Sequence, residues 1–196
     1  MNEIISHLLE EHRNLGKLIG ILNGLRVAQH QPTLGDIVLL VDTFSYLTCF
    51  PDLHHHLVED RIAASLRARN VLSADISDEI EKQHRVLAKQ GVDLMRDLES
   101  AAREETTSWP AVATSARLYA ERLRHNMAVE ELALFPVAET MLGEADWDAI
   151  AVLSKQAPVD PLFVSRTEKR FEELRRVIGA EAGCDCFQSP EARGAL

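Results

Sequence analysis

Four long stretches of the chain carry apolar residues at steps of three and four positions, the spacing that places them on one face of a helix. They cover about residues 3–27, 34–69, 75–104 and 110–142. Each stretch also holds a histidine, and the four are His12, His55, His84 and His125. Because the connections between the stretches are short, the sequence predicts an all-α fold: an up-down-up-down four-helix bundle with additional C-terminal helices.

Capping and breaking residues set the expected limits of the second helix. Thr33, with Asp36 three residues later, predicts a capping box at its start. Pro51 lies inside the stretch, and its missing amide hydrogen predicts a kink or a restart one turn before His55.

The length of 196 residues fits one domain with a core of its own. Residues 1–150 are expected to form the bundle, and residues 151–182 a helical extension packed on it. Residues 183–196 are small, polar and irregular, so a disordered tail is expected there.

The charge and the cysteines limit the partners and the compartment. The chain has 31 acidic and 21 basic residues, a net charge of −10, which argues against nucleic acid and anionic membranes as partners. No run of 18 apolar residues occurs, and the N-terminus lacks a basic region followed by an apolar one. The three cysteines, Cys49, Cys184 and Cys186, are an odd number and do not form a disulfide framework. We therefore expect a soluble protein of the reducing cytoplasm.

Histidines accompanied by glutamates indicate a transition-metal site. Imidazole and carboxylate together suit iron, manganese or zinc, whereas calcium and magnesium prefer oxygen ligands. His55 and Glu59 are four residues apart and lie on one helical face, so both can reach one metal. His125 and Glu130 are five apart, which leaves them about 140° apart on an ideal helix and favours a two-metal site.

Motifs of the four stretches carry a family resemblance. They are Glu11-His12-Arg13-Asn14-Leu15, His55-His56-Leu57-Val58-Glu59-Asp60, Gln83-His84, and His125-Asn126-Met127-Ala128-Val129-Glu130-Glu131 running on to Leu134-Phe135-Pro136. In this order they resemble the hemerythrin-like family, also called the HHE cation-binding domain, over about residues 4–150. The resemblance implies a four-helix bundle with two non-haem iron ions, joined by carboxylate and oxo bridges. The implied terminal ligands are His12, His55, His84 and His125, and the implied bridging ligands are Glu59 and Glu130.

Two positions depart from the pattern of the family's oxygen carriers. Those carriers have a second histidine four residues from the one on the third helix, but here the two such positions hold Ile80 and Ala88. Related proteins also often have histidine where this chain has Asn126. One iron would therefore lack a nitrogen ligand and keep an open position, which favours sensing, peroxide chemistry or iron handling over reversible oxygen carriage.

We expect a non-haem di-iron protein that binds or senses oxygen, peroxide, nitric oxide or iron. The alternative is a di-iron enzyme that breaks down peroxide or donates iron in repair, and a third interpretation is a metal-free structural bundle. His56 could be a third ligand from the second helix, but it is expected rather to support the site by a hydrogen bond or to face solvent. Gly16, Gly20 and Gly24 are expected to pack closely within the bundle.

Overall fold

A computed structural model describes residues 1–24, 32–103, 108–156, 159–163 and 167–181 of the chain. Within these residues the secondary structure is helical and contains no strand, so the predicted all-α bundle is confirmed. The predicted end of the first helix near residue 27, the predicted tail at 183–196 and Cys184 and Cys186 lie outside the described residues.

Eight α-helices are present in the described part of the chain. They are α1 (Glu3–Gly24), α2 (Leu34–Cys49), α3 (His56–Ala68), α4 (Ala74–Ala102), α5 (Trp109–Val129), α6 (Phe135–Met141), α7 (Glu144–Gln156) and α8 (Glu172–Glu181). A first π-helical turn, Pro51–His55, joins α2 to α3, and a second one, Glu130–Leu134, joins α5 to α6. A 3₁₀ turn, Lys169–Phe171, precedes α8. The second and fourth members of the bundle are therefore each built from two helices and a π turn.

Pro51 restarts the second member of the bundle, as predicted. Pro51 has no amide hydrogen for the carbonyl of Leu47 four residues earlier, and α2 ends at Cys49. The helix widens at this point, since the amide of His56 donates to the carbonyl of Pro51 five residues back. Such π turns occur frequently at functional sites because they change the direction of the side chains that follow. The predicted capping box of Thr33 with Asp36 is also present.

Neighbouring members of the bundle run antiparallel. Asn126 of α5 donates to Gln83 of α4 at 3.3 Å, whereas Gln90, further along α4, donates to the carbonyl of Ser115, earlier on α5. The numbering therefore rises in opposite directions along the two helices. The same reversal relates the first and fourth members: the backbone amide of Asn2, just before α1, donates to a carboxylate oxygen of Glu139 at 2.5 Å, whereas His12, further along α1, bonds to the earlier Glu131.

The apolar core is divided into two clusters. The first core cluster includes Leu15, Leu22, Phe44, Leu87, Leu94, Tyr119 and Leu123. The second core cluster includes Ile5, Leu8, Val58, Ile62, Ile80, Leu134 and Ile150. Along α1, Leu8 belongs to the second cluster and Leu15 to the first, with His12 between them. The histidines therefore lie at the level where one apolar cluster ends and the other begins.

The C-terminal extension contacts the bundle. The hydroxyl of Tyr46 in α2 donates to Asp160 at 3.0 Å, and Arg170 lies 3.1 Å from Asp42. Four extension residues join the first core cluster: Leu162, Phe171, Leu174 and Ile178. The helix α7 runs across residue 150, so the chain has no break at the expected limit between bundle and extension.

One helical stretch, Leu34–Ala68, is long and apolar enough to cross a membrane by length and composition alone, with a mean hydropathy of 1.3. In its most apolar window, 56% of the residues are buried inside the bundle. The core helix of a bundle has the same apolar composition, so this stretch is weak evidence for a membrane.

Gly16 and Gly20 of α1 do not make the close helix contacts that were expected, and the surroundings of Gly24 lie outside what the structure describes. Gly16 and Gly20 are exposed, and nothing lies within 4 Å of the position that a Cβ atom of Gly16 would take. The close approach occurs instead at Gly91 of α4, where a Cβ atom would stand 2.6 Å from Cγ2 of Thr48 in α2. The expectation for Gly16 and Gly20 is therefore wrong.

Gly91→Ala is expected to lower the free energy of unfolding by about 1–2 kcal/mol, because the clash with Thr48 outweighs the gain in helix propensity. Gly16→Ala is the matched control, and it should raise the free energy of unfolding by up to about 1 kcal/mol. Urea unfolding followed by circular dichroism measures both changes. Equal stabilisation by the two substitutions would contradict the close contact of α4 with α2.

Candidate metal centre

A layer of buried polar side chains separates the two core clusters. It draws on α1, the first π turn, α3, α4, α5 and the second π turn. None of its members is more than 5% exposed. This polar layer consists of His12, His55, His56, Glu59, His84, Asn126 and Glu130. It contains five of the six residues predicted to bind metal, and His125 is the exception.

Three donor atoms of the polar layer form a triangle with equal sides. His12 Nε2, His55 Nε2 and Glu59 Oε1 lie 3.1 Å from one another. Two ligands that are each about 2.1 Å from one metal ion, at 90–109° to each other, lie about 3.0–3.4 Å apart. The three atoms therefore have the separation that one transition-metal ion requires.

Both glutamates extend across the polar layer and offer one oxygen to each side of it. Glu59 Oε1 faces His12 and His55, while Glu59 Oε2 lies 3.6 Å from His84 Nε2. Glu130 Oε2 lies 3.5 Å from His12 Nε2, and Glu130 Oε1 lies 2.9 Å from His84 Nε2. Each carboxylate is thus arranged as a bridge between two groups of imidazole nitrogens.

Carboxylates outside the polar layer determine which ring nitrogen of its histidines carries a proton. His12 Nδ1 lies 2.9 Å from Glu131, and His55 Nδ1 lies 2.8 Å from Glu11. His84 Nδ1 is in the same way 2.8 Å from Asp60. A carboxylate only accepts hydrogen bonds, so each Nδ1 carries its proton and donates it, and each Nε2 keeps its capacity to bind a cation.

Atoms without hydrogen bonds concentrate in this layer. Among the described residues, six buried side-chain polar atoms lack a hydrogen-bond partner, and one of them, Trp109 Nε1, lies elsewhere. The other five are Asp52 Oδ1, His56 Nε2, Glu59 Oε2, Asn126 Oδ1 and Glu130 Oε2. A buried polar atom without a partner costs about 1–3 kcal/mol. A bound cation would give His56 Nε2 and the unpaired oxygens of Glu59 and Glu130 their missing partner, so these residues fit a metal centre. Asp52 lies beside the layer, with its Oδ1 3.3 Å from His56 Nδ1.

His125, the expected ligand of the fourth member of the bundle, is not brought to the polar layer. It is exposed and lines a surface pocket of about 410 Å³ between α4 and α5. The helix α5 is regular up to Val129, so the residue that shares a face with Glu130 is Asn126, four positions before it. Asn126 Nδ2 donates to Glu130 Oε1 at 2.7 Å. The expectation that His125 binds the metal is therefore wrong for a reason of helical period.

Several residues around the centre were missed or only partly assigned from the sequence. Asp60 and Glu131, which directly follow Glu59 and Glu130 in sequence, support the ligands by the hydrogen bonds to His84 and His12. Glu11 was not predicted, although its place directly before His12 parallels that of Asp60 after Glu59. His56 was expected outside the ligand set, but it is 4% exposed and close to His84.

The buried acids and histidines shift one another's pKa values, and the two glutamates are shifted in opposite directions. Burial alone would lower the pKa of His84, but hydrogen bonds to Asp60 and Glu130 outweigh it and raise this pKa to about 10. Burial would raise the pKa of Glu59, yet the neighbouring His55 and His12 hold it well below its usual range. Burial and the charge of Glu59 raise the pKa of Glu130 to about 7. Without metal the layer therefore binds protons, which a metal ion must displace.

The comparison with protein families agrees with this geometry. The family model of the hemerythrin HHE cation binding domain matches residues 3–138, which is more than half of the chain. The chain belongs to the hemerythrin HHE family. The HHE domain contains the whole polar layer and the carboxylates that surround it. No curated protein and no solved structure matches the chain.

Two groups within the HHE domain have the donor types and the spacing of a metal site. One consists of His12, His55 and Glu59, and the other of His56, Glu59 and His84. In each group the candidate donor atoms lie within 4.8 Å of one another. Glu59 belongs to both, which agrees with its position as a bridge between the two sides.

The metal-free HHE domain is expected to become less stable as the pH rises. His84 has a pKa of about 10 when folded and about 6.5 when unfolded, so its stabilising effect is complete below about pH 6.5 and is lost towards pH 10. Glu130, raised from 4.5 to about 7, acts in the same direction between those values. Calorimetry of chelator-treated protein should therefore show the melting temperature falling from about pH 6 to about pH 9.

Stabilisation by added cobalt(II) should instead increase with pH. The metal binds unprotonated Nε2 atoms, and fewer protons compete with it for these atoms at higher pH. The rise in melting temperature on adding cobalt(II) should therefore grow over the same pH range. A His84→Gln variant should show a flatter pH dependence without metal. A melting temperature of the metal-free wild type that increases with pH would contradict the assigned charge states.

Asp60→Asn is expected to weaken metal binding by about 10–100-fold, since it removes the charge that orients and polarises His84. Asp78→Asn is the control, because Asp78 is exposed and pairs with Arg67 at the surface. Competition with a chromophoric chelator gives both affinities. Equal affinities for the two variants would show that Asp60 does not act on the centre.

Proposed function

We propose that the polar layer binds two non-haem iron ions and that this centre binds or senses oxygen or a related small oxidant, namely peroxide or nitric oxide. The observation that carries the proposal is the pair of fully buried carboxylates, Glu59 and Glu130, each with one oxygen towards either side of the layer. An ion held by His12, His55 and Glu59 Oε1 would leave the buried Oε2 of Glu59 on the other side of the layer without a partner, and a second ion would supply it.

Iron is favoured by the number and the type of the donors. Imidazole nitrogens together with carboxylate oxygens suit iron, manganese or zinc, and they exclude calcium and magnesium as the preferred ions. One tetrahedral zinc ion would use four donors, fewer than the layer offers. Membership of the HHE family supports iron among the remaining ions. The bridging positions of both glutamates support two ions rather than one.

The surroundings of the centre favour a small ligand. The layer is closed above and below by the two core clusters, so a bulky substrate has no room next to the donors. Iron supplies, when bound, a position to which a small oxidant can add. On α5 the chain presents the amide of Asn126 instead of an imidazole. The protein donors on either side of the layer are fewer than an octahedral ion accepts, which leaves such a position available. A location in the reducing cytoplasm, which the cysteine content favours, is part of the same proposal.

The protein purified without added metal should contain about two iron ions per chain and show the near-ultraviolet absorption of an oxo-bridged iron pair. Glu59→Ala should lose most of this iron, because it removes the bridge shared by both sides. Glu121→Ala, an exposed acid of α5, is the control and should retain the iron. Plasma mass spectrometry and absorption spectra measure both. Full iron content in Glu59→Ala would refute the centre.

The response of the iron-loaded protein to small ligands distinguishes a binder or sensor from an enzyme. A spectrum that changes with oxygen or nitric oxide, without turnover, supports a binder or sensor. Sustained gas evolution from added peroxide instead supports an enzyme that breaks peroxide down. The absence of any spectral change with all of these ligands would overturn the proposed role while leaving the metal centre intact.

A further inference from the structure

On the side of the polar layer around His84, the helix α5 does not supply a second histidine. The side around His12 has two imidazoles, with His55 Nε2 3.1 Å from His12 Nε2. On the other side α5 presents Asn126, whose Nδ2 donates to Glu130 and to Gln83. An amide nitrogen that donates hydrogen bonds has no lone pair for a metal ion. The second nitrogen donor must therefore come from another helix.

We propose that His56 is this donor, so that the second metal position consists of His56, His84, Glu59 and Glu130. The inference rests on the proposed iron centre and specifies the ligands of its second ion. The second nitrogen ligand is thereby assigned to the first turn of α3 rather than to α5.

The burial and the contacts of His56 support this assignment. His56 is 4% exposed, and its ring stacks on the ring of His84 with centroids 4.1 Å apart and an angle of 11° between the planes. The donor atoms of His56, Glu59 and His84 lie within 4.8 Å of one another. Two donors of one ion are at most about 4.2 Å apart, so no more than a small movement of the rings is needed.

The two nitrogens of His56 have different surroundings, as they do in the other histidines of the layer. Nδ1 lies 3.3 Å from Asp52 Oδ1, an acid one turn earlier in the first π turn. Nε2 is buried and has no hydrogen-bond partner. His12, His55 and His84 also have Nδ1 next to a carboxylate, at the hydrogen-bond distances of 2.9, 2.8 and 2.8 Å, and Nε2 towards the centre of the layer. The approach of Asp52 to His56 is longer, but the carboxylate lies on the same side of the ring. A packing role alone would leave His56 Nε2 unsatisfied at a cost of about 1–3 kcal/mol.

The first π turn explains how two consecutive histidines can serve two metal ions. Consecutive side chains of an α-helix point about 100° apart, so His55 and His56 diverge. His55 turns towards His12 of α1, with ring centroids 5.0 Å apart, and His56 turns towards His84 of α4. Because the chain passes between α1 and α4 at this point, both directions are buried. Glu59, one turn later, reaches both sides.

The test compares metal stoichiometry in four proteins: the wild type, His56→Ala, His125→Ala and the double variant His56→Ala with Asn126→His. Each is titrated anaerobically with iron(II), and separately with cobalt(II), whose absorption reports the number of nitrogen ligands. The wild type should bind two ions per chain. His56→Ala should bind the second ion more than about 100-fold more weakly, since loss of a direct ligand exceeds the 10–100-fold effect of a supporting residue.

The other two proteins and a rescue complete the experiment. His125→Ala removes an exposed histidine and should bind like the wild type. The double variant returns a nitrogen donor to α5 and should recover the second ion, and added imidazole should partly restore it in His56→Ala. If His56→Ala does not fold, as judged by circular dichroism, His56→Gln keeps more of the side-chain volume and takes its place.

The outcomes separate this inference from the function on which it rests. A wild type that binds two ions and a His56→Ala variant that binds both with unchanged affinity would overturn the role of His56 alone. Loss of the second ion in His125→Ala but not in His56→Ala would do the same. A wild type that binds fewer than two ions would overturn the proposed di-iron centre together with this ligand.

Discussion

The burial of two carboxylates side by side is the constraint on which the bundle depends. Glu59 and Glu130 have no exposed surface, and an uncompensated carboxylate in such a place would cost several kcal/mol. Imidazoles from α1, α3, α4 and the first π turn surround them, and each imidazole is held by a further acid. Three of these acids are adjacent in sequence to one residue of the polar layer and bond to a histidine on a different member of the bundle. They are Glu11, Asp60 and Glu131. Every member of the bundle is thereby tied to another through the layer.

The fold and most of the centre were predictable from the sequence because both follow from helical spacing. The apolar steps of three and four residues predicted the helices, Pro51 predicted the restart, and the four-residue interval from His55 to Glu59 predicted a shared face. The same reasoning favours Asn126 over His125, since Asn126 is four residues before Glu130. His125 was assigned by resemblance to the family, and the regular geometry of α5 overrode that assignment.

The burial of His56 could not be predicted in this way. A helical period predicts that His55 and His56 point in different directions, but it does not tell which of these directions meets another helix. That depends on α1 and α4 lying on both sides of the first π turn, which is a property of the assembled bundle. The hydrogen bond of Glu11 with His55 likewise joins two residues that are 44 positions apart in sequence. Long-range contacts of this kind have no signature in a single chain.

The division of the apolar core into two clusters has a consequence for how the protein unfolds. The clusters are separated by a layer whose polar atoms are incompletely satisfied, so apolar packing alone couples them weakly. A bound ion would hold helices from both sides in one rigid unit and make unfolding a single cooperative transition. Without it, the half around Phe44 and Tyr119 and the half around Ile62 and Ile80 are joined only by the helices that run through both and by the hydrogen bonds of the layer, so the coupling between them is weaker. Metal occupancy would then control not only how stable the bundle is but also how cooperatively its two halves unfold.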